Sequence, residues 1–315
     1  MYLTAVDFLV SDCIIMAVVR GRCARGLQWK MFPKKSAAQN SDASPLLLIH
    51  GYACGMADWG ALPRMLSSRG RDVAVYSHRG LDGSAIHSTK NGAPATVGDL
   101  AGDAASCLES LGWKDRSVHV MGISLGGMVA QQLALDAPEL VRSLVLGCTT
   151  HGGRDATPPP LWFLELCSSW AESDFGDDVA QRDFATKFVD SCGPPDFAKR
   201  PGAERLRGKM IDTFLATERS SDGLQQQFQA LGRYNSTKRL GELGAFPTLV
   251  VHGSADECVP FANGESLARR IPNATLREWV GSTAHGAGHF FWLDRPQDLT
   301  DVLSDFMSEH DAARV

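Results

Sequence analysis

The sequence Gly-Ile-Ser-Leu-Gly at residues 122–126 places one serine between two glycines. The apolar residues 118–121 precede it, and a helix-like pattern follows. A serine at a sharp strand-to-helix turn is held in a strained conformation, and the flanking glycines let strand and helix approach closely. This pattern is typical of a nucleophile elbow, although glycine-rich turns of this kind also bind phosphate groups. We therefore predict that Ser124 is a nucleophile.

A serine hydroxyl becomes a good nucleophile only when a base removes its proton. Where a serine occupies such an elbow, an acid and then a histidine follow it along the chain, with the histidine in a loop after the last strand. That loop contains His285 and His289. Because His289 comes directly after Gly-Ala-Gly and before a helix-like segment, we predict it as the base and keep His285 as the alternative.

The histidine in turn needs an acid that fixes its tautomer and stabilises the imidazolium. Asp256 lies just beyond the apolar run of residues 247–253. That position is the carboxyl edge of a sheet, where ligand sites lie in α/β proteins. The competing strand end after residue 147 offers no carboxylate before Asp155. We therefore predict Asp256 as the acid.

A tetrahedral intermediate also needs two hydrogen-bond donors for its oxyanion. One donor is expected to be the backbone N–H of Leu125, directly after the nucleophile. The other is expected in the loop after the apolar run of residues 45–51. We predict the N–H of Tyr52 for this role, with Ala53 as the alternative.

The elements that must position these residues follow a regular alternation of strand-length apolar runs and helix-length segments. Because the runs are continuously apolar, they indicate strands buried on both faces. The alternation predicts an α/β fold with a doubly wound, mostly parallel sheet of about eight strands. The runs are residues 13–19, 27–32, 45–51, 72–80, 117–124, 141–147, 247–253 and 274–281.

The stretch from residue 150 to 243 contains no strand-like run and many large apolar side chains. A connection of about 90 residues is too long for an ordinary loop, so we predict an inserted helical lid. The core domain would then consist of residues 1–149 and 244–315, and the alternative is a set of misjudged core helices. A lid over the site would place apolar side chains against the substrate, and we expect Trp162, Phe163, Phe188 and Phe290 to bind it.

The overall composition is that of an ordinary globular protein, with 44% apolar and 21% charged residues. The net charge of −5 and the lack of a basic cluster argue against nucleic acid or an anionic membrane surface as partners. No uncharged apolar run reaches the roughly 18 residues of a membrane span. The apolar N-terminus is interrupted by Asp7 and Asp12, which argues against a signal peptide. We therefore expect a cytoplasmic protein.

The eight cysteines form no C-x-x-C pair, so a zinc ribbon or a redox motif is not indicated. Cysteines scattered over a chain of this length favour buried free thiols in a reducing compartment, with disulfides as the alternative.

Together these residues resemble the α/β-hydrolase superfamily. The matching segments are LLLIHGYACGMADW, YSHRGLDGS, VMGISLGGMVAQQLAL, LVVHGSADECVP and GAGHFFW, in the family's order, and the likeness runs from about residue 12 to 308. The resemblance implies the same triad and oxyanion donors and places a cap between the sixth and seventh core strands. Within the superfamily, the chain is most similar to lid-bearing esterases and enol-lactone hydrolases, including those acting on 3-oxoadipate enol-lactone. Two positions depart from the pattern: Ser77 and Asp82 stand where the family often has an aspartate and a second glycine.

These observations predict a serine hydrolase that acts on a small hydrophobic carboxylic ester or lactone, with water as the second substrate and no metal or organic cofactor. The same triad would also support a carbon–carbon bond hydrolase, an acyltransferase or a cofactor-free haloperoxidase, because a fold does not settle its chemistry. A ligand-binding protein or receptor with little turnover is the alternative from another functional class.

Overall fold

The computed structural model describes residues 17–34, 43–87, 93–172, 177–194, 197–199, 202–281 and 286–311. His285, Cys13 and the apolar N-terminus through residue 16 lie outside these ranges. The expectations placed on them therefore stay predictions.

Eight strands form a single sheet in the spatial order β1-β2-β4-β3-β5-β6-β7-β8. The pairs β1–β2 and β2–β4 are antiparallel, and the remaining pairs are parallel. The predicted mostly parallel α/β sheet of eight strands is thus confirmed. Its strands are β1 Val19–Arg22, β2 Gln28–Phe32, β3 Leu46–Ile49, β4 Val73–Tyr76, β5 Val118–Ile123, β6 Val141–Gly147, β7 Thr248–Gly253 and β8 Thr275–Trp279.

The first strand lies later in the chain than the apolar run of residues 13–19 indicates. It begins at Val19 and alternates half-buried with exposed residues, so Arg20 and Arg22 face solvent. An edge strand needs only one covered face, and charged side chains on it are common. The prediction of the first strand from a continuous apolar run was therefore wrong at this edge of the sheet.

The central strands are buried on both faces, as their continuous apolar sequences indicate. Successive side chains point to opposite faces of a strand. In β3, Leu47 and Ile49 accordingly belong to one apolar cluster, while Leu46 and Leu48 belong to the other. Outside the segment between β6 and β7, the helices that contribute to the first cluster are α2 Val97–Ser110, α3 Leu125–Asp136 and α8 Ala262–Arg270. Those that contribute to the second are α1 Leu62–Ser67, α9 Phe291–Asp294 and α10 Pro296–Asp311.

Among the described residues between β6 and β7, in the segment for which we predict a lid, four α-helices form. They are α4 Leu161–Ala171, α5 Asp178–Cys192, α6 Glu204–Ala216 and α7 Ser221–Arg233. Aromatic rings pack between these helices: Trp170 of α4 stacks on Phe184 of α5 with ring centroids 3.9 Å apart, and Phe188 of α5 lies 5.0 Å from Phe214 of α6. These rings belong to the same apolar cluster as one face of the sheet, so the inserted helices pack on the core as well as on one another.

Over the ranges that the structure describes, no helix combines the length and apolarity needed to cross a lipid bilayer. The seven cysteines within those ranges are all buried and unpaired.

Candidate active site

Ser124 occupies the turn between β5 and α3 with a φ of 56° and a ψ of −121°. A positive φ is unfavourable for a residue with a side chain and persists only where the surroundings enforce it. The glycines around it leave no room for a Cβ: one built on Gly122 would lie 2.1 Å from the carbonyl oxygen of Gly126, and one on Gly126 would lie 2.1 Å from that of Ile49. The local sequence thus forces the strand, the turn and the helix into close contact.

Two further contacts hold the serine in place. The Thr149 hydroxyl, just after β6, donates a 2.6 Å hydrogen bond to the Ser124 carbonyl. A Cβ built on Gly51 would lie 3.0 Å from the Ser124 Cβ, so the loop after β3 passes close beside Ser124. Ser124 also caps the N-terminus of α3, where the helix dipole favours negative charge.

His289 and Asp256 form a hydrogen-bonded pair although they are 33 residues apart. His289 Nδ1 lies 2.7 Å from Asp256 Oδ2. The other carboxylate oxygen, Oδ1, accepts from the backbone N–H groups of Cys258 at 2.8 Å and Val259 at 2.9 Å. A carboxylate with these partners is held in one orientation and presents Oδ2 to the imidazole.

The charge state of Asp256 follows from its neighbours. Burial by itself would raise the pKa of this carboxyl, but the charge of His289 and hydrogen bonds from His252 and His289 hold the pKa well below its usual range. The group is therefore an ionised acceptor, so His289 Nδ1 carries the hydrogen of their shared bond. That tautomer leaves Nε2 free to accept a proton.

Ser124 and His289 both line the same cavity. Among the described contacts, Ser124 Oγ makes no hydrogen bond to His289. Catalytic hydrogen bonds are often long without substrate and tighten in the substrate complex, so the shared cavity is the relevant observation.

The candidate oxyanion donors differ in whether their N–H groups already have a hydrogen-bond acceptor. Within the described part of the chain, no acceptor is bonded to the N–H of Tyr52 or Leu125. The N–H of Ala53, the alternative donor, is already bonded to Gln227 Oε1 at 3.1 Å. The two N–H groups that we expected are thus available, and the alternative is occupied.

Of the four apolar residues expected to bind substrate, the structure brings three to the cavity. Phe163, Phe188 and Phe290 line it, whereas Trp162 does not and is 44% exposed. Consecutive residues of an α-helix point about 100° apart, so Trp162 and Phe163 of α4 cannot share a direction. Trp162 contacts Phe163 edge-on from outside the cavity, with ring centroids 5.7 Å apart.

The remaining lining is also largely apolar and comes from the core and from the inserted helices. Core residues include His50, Ile123, Met128, Val259 and Trp292; the inserted segment contributes Thr157, Pro159, Leu164, Cys167, Phe228 and Leu231. Burial lowers the pKa of His50 to about 3, so this imidazole is neutral beside the site.

Sequence reasoning missed one side chain next to the acid. His252, at the end of β7, lies with Nε2 3.4 Å from Asp256 Oδ2 and 2.8 Å from the carbonyl oxygen of Val259. The available signal was its spacing of four residues from Asp256, but a histidine at a strand end more often has a structural role.

Ser77 and Asp82, the two residues that depart from the family pattern, contact each other. The Ser77 hydroxyl donates to Asp82 Oδ2, and Asp82 has a φ of 50°, a conformation that favours glycine. The serine therefore supplies a hydrogen-bond donor to the residue that replaces the glycine.

Two overlapping groups of side chains could supply metal ligands: Cys148, His252 and Asp256, and Asp256, Cys258 and His289. Both include Asp256, whose oxygens already accept hydrogen bonds from Cys258, Val259 and His289. A cation bound at Asp256 Oδ2 would compete with the hydrogen bond to His289.

Comparison with known proteins identifies the family of the chain. A family model described as the alpha/beta hydrolase fold matches residues 44–296. The chain is 30% identical over 266 residues to polyketide synthase ThaQ of Burkholderia thailandensis, a match that covers 84% of this chain but 12% of that protein. It is 26% identical over 250 residues to a non-heme haloperoxidase of Rhodococcus erythropolis, covering 77% of this chain and 85% of that one.

Among solved structures, the enol-lactonase of Burkholderia xenovorans LB400 superposes with a TM-score of 0.72 at 19% identity, covering 92% of this chain and 99% of the other. At this identity the likeness concerns the fold. The family model spans most of the chain, from before β3 to beyond His289. The chain therefore belongs to the alpha/beta hydrolase family.

Proposed function

We propose that the protein is a serine hydrolase that cleaves a carboxylic ester or lactone through an acyl-enzyme on Ser124. The observation that carries this proposal is the 2.7 Å bond between His289 Nδ1 and Asp256, on a cavity that Ser124 also lines. A strained serine, an oriented imidazole and an ionised acid are the groups that nucleophilic acyl transfer needs.

In the first half of the reaction, Ser124 Oγ attacks the substrate carbonyl carbon and its proton passes to His289 Nε2. The carbonyl oxygen becomes an oxyanion that accepts hydrogen bonds from the N–H groups of Tyr52 and Leu125. The intermediate collapses when the C–O bond to the leaving alcohol breaks, and His289 returns the proton to that alcohol. Asp256 stabilises the imidazolium between these transfers.

In the second half, His289 removes a proton from water, which attacks the acyl carbon. The second oxyanion collapses, the acid leaves, and Ser124 recovers its proton. The apolar lining of the cavity supports a small-to-medium hydrophobic acyl or alcohol group as the substrate.

A second candidate follows from the 26% identity to a non-heme haloperoxidase. Hydrogen peroxide would replace water as the nucleophile on the acyl-enzyme, and the product would be a peracid in place of the acid. The same residues would act in both reactions.

A panel of p-nitrophenyl esters and lactones of varied chain length tests the proposal, run with Ser124→Ala. The variant should lose nearly all turnover, since the remaining oxyanion hole supports only a residual rate. Ser266, which also lies two residues after a glycine but is absent from the cavity lining, provides the matched control Ser266→Ala.

A fluorophosphonate probe should label Ser124 in the wild-type protein. Retained turnover in Ser124→Ala would contradict the proposal, and absence of both turnover and labelling would favour a binding protein. Product analysis with added alcohol or peroxide separates hydrolysis from acyl transfer and peracid formation.

A further inference from the structure

The loop that follows β3 contains a backbone conformation that its own sequence does not favour. Ala53 has a φ of 60°. The left-handed region costs a non-glycine residue about 1–2 kcal/mol, and such a residue keeps it only when its surroundings over-determine the conformation. Ala53 directly follows Tyr52, whose N–H is our proposed oxyanion donor.

The N–H side of Ala53 is held by Gln227 of α7. Gln227 Oε1 accepts from the Ala53 N–H at 3.1 Å, while Nε2 of the same amide donates to the carbonyl of Arg79 at 2.9 Å. The Gln227 side chain is fully buried. Because both ends of the amide are engaged, its oxygen is fixed toward Ala53.

The carbonyl side of Ala53 is held by Arg219, just before α7. Arg219 Nε donates to the Ala53 carbonyl at 2.9 Å, and Nη1 donates to the carbonyls of Phe214 and Thr217. The guanidinium carbon lies 3.7 Å from the centroid of the Phe214 ring. Among the described residues, no carboxylate lies within ion-pair distance of Arg219, and its Nε and Nη1 donate to backbone carbonyls.

A third contact ties the same loop to α4. The Tyr52 hydroxyl donates to the carbonyl of Cys167 at 3.1 Å, and the Tyr52 ring lies 6.0 Å from that of Phe228. On the other side of Tyr52, the Gly51 N–H donates to His50 Nδ1 at 2.7 Å, and the Gly51 carbonyl accepts from the Cys54 N–H at 3.4 Å. The orientation of the Tyr52 N–H therefore depends both on these bonds within the loop and on contacts with the inserted segment.

We propose that Gln227 and Arg219 are positioning residues that hold Ala53 in its left-handed conformation and thereby aim the Tyr52 N–H at the oxyanion. This inference rests on the serine hydrolase function proposed above. It assigns the inserted helices a part in building the oxyanion hole, in addition to lining the cavity. We call the hydrogen bonds from Gln227 and Arg219 to Ala53 the clamp. Breaking one of these bonds weakens an interaction made mainly in the transition state, so it lowers kcat more than it raises KM.

The test compares Gln227→Met with the matched control Gln226→Met. Gln226 lies on the same helix and also contacts the core, through Arg79 and His87, but does not touch Ala53. With p-nitrophenyl butyrate, Gln227→Met should lower kcat by about 10- to 100-fold with KM nearly unchanged. Gln226→Met should retain wild-type kcat.

A trifluoromethyl ketone inhibitor reads the oxyanion hole directly. Ser124 Oγ adds to its carbonyl carbon, the serine proton passes to His289, and the ketone oxygen becomes an oxyanion. The inhibition constant should therefore rise in Gln227→Met by the same factor by which kcat/KM falls. A purely structural role for Gln227 would not produce this proportionality.

Two more variants keep the test decisive. Gln227→Glu retains an oxygen that can accept from Ala53 but loses the donor to the Arg79 carbonyl, so it should recover only part of the lost kcat. Arg219→Gln removes the bond to the Ala53 carbonyl and should lower kcat in the same way. If circular dichroism shows that Gln227→Met does not fold, the result for Arg219→Gln alone tests the proposal. A folded Gln227→Met or Arg219→Gln variant with wild-type kcat and ketone affinity would overturn the proposal.

Wild-type turnover and its loss in Ser124→Ala are measured first. If turnover depends on Ser124 but is indifferent to Gln227 and Arg219, only the clamp is wrong. If the wild-type protein has no such turnover, the proposed hydrolase function fails, and the role of the clamp fails with it.

Discussion

At the scale of single residues, the orientation of Asp256 decides what each oxygen can do. Oδ1 faces two backbone N–H groups, those of Cys258 and Val259, and Oδ2 faces His289. An asparagine at this position would turn its oxygen toward the two N–H donors. Its NH₂ group would then face His289 Nδ1 and force that nitrogen to act as an acceptor.

We therefore expect Asp256→Asn to lower kcat by about 10⁴-fold, because His289 Nε2 would carry the hydrogen and could not take the serine proton. Steady-state kinetics on a p-nitrophenyl ester measure this loss. Glu257→Gln, an exposed neighbour, serves as the control and should stay within about twofold of wild type. Near-normal activity of Asp256→Asn would exclude Asp256 as the acid.

At the scale of elements, the rotation of α4 about its axis separates two adjacent aromatic residues. Phe163 lines the cavity and lies 6.3 Å from Phe188 of α5 with nearly parallel rings, whereas Trp162 faces outward. These two phenylalanines thus form part of the wall that the inserted helices contribute.

Shortening either phenylalanine should enlarge the cavity and shift the preference toward longer acyl chains. We expect Phe163→Ala and Phe188→Leu to change the ratio of kcat/KM for octanoyl and acetyl esters by about tenfold, since a methylene contact is worth roughly 1–3 kcal/mol. Trp162→Ala should leave the ratio unchanged. A wild-type ratio of kcat/KM values in all three variants would mean that Phe163 and Phe188 do not contact the substrate.

At the scale of the whole molecule, the end of α10 is tied to the sheet by a buried network. Asp311 lies 2.9 Å from both His119 Nε2 of β5 and Arg71 Nη2, and it also accepts from the N–H of Ser44. Burial lowers the pKa of His119 to about 4. Burial would raise the pKa of Asp311, but hydrogen bonds from His119 and Arg71 hold it well below its usual range.

The sign of the pH dependence follows from His119. Between the usual histidine pKa of about 6.5 and the folded value near 4, the unfolded state binds the extra proton, so stability falls as the pH falls through this window. The paired Asp311 extends the loss to lower pH. Urea denaturation from pH 7.5 to 4.5 should show this decline.

His119→Gln should remove part of that slope, up to about 1.4 kcal/mol per pH unit for one proton. The matched control is His310→Gln on α10, which should leave the slope close to wild type. An unchanged slope in His119→Gln would show that His119 does not contribute to the acid sensitivity of the protein.

Much of this protein could be predicted from local sequence because local sterics dictate it. Two glycines around Ser124 leave one arrangement of strand, turn and helix, and continuous apolar runs require strands covered on both faces. The same reasoning failed at β1, where an edge strand needs no continuous apolar run. It also led to the prediction of His289 and Asp256 as base and acid, since each follows a strand at the edge where the carboxyl ends of parallel strands meet; the structure places the two side chains 2.7 Å apart, and their roles stay a prediction.

Only the tertiary structure decided which side chains meet across long sequence separations. Gln227 and Arg219 contact Ala53 across 174 and 166 residues, and no periodicity in the sequence relates these positions. The direction of Phe163 against Trp162 likewise depends on how α4 packs on its neighbours. Local spacing determines backbone geometry within a turn or a strand, but packing sets the rotation and distance between elements. Those two quantities determine the shape of the cavity and the restraints on the loop after β3.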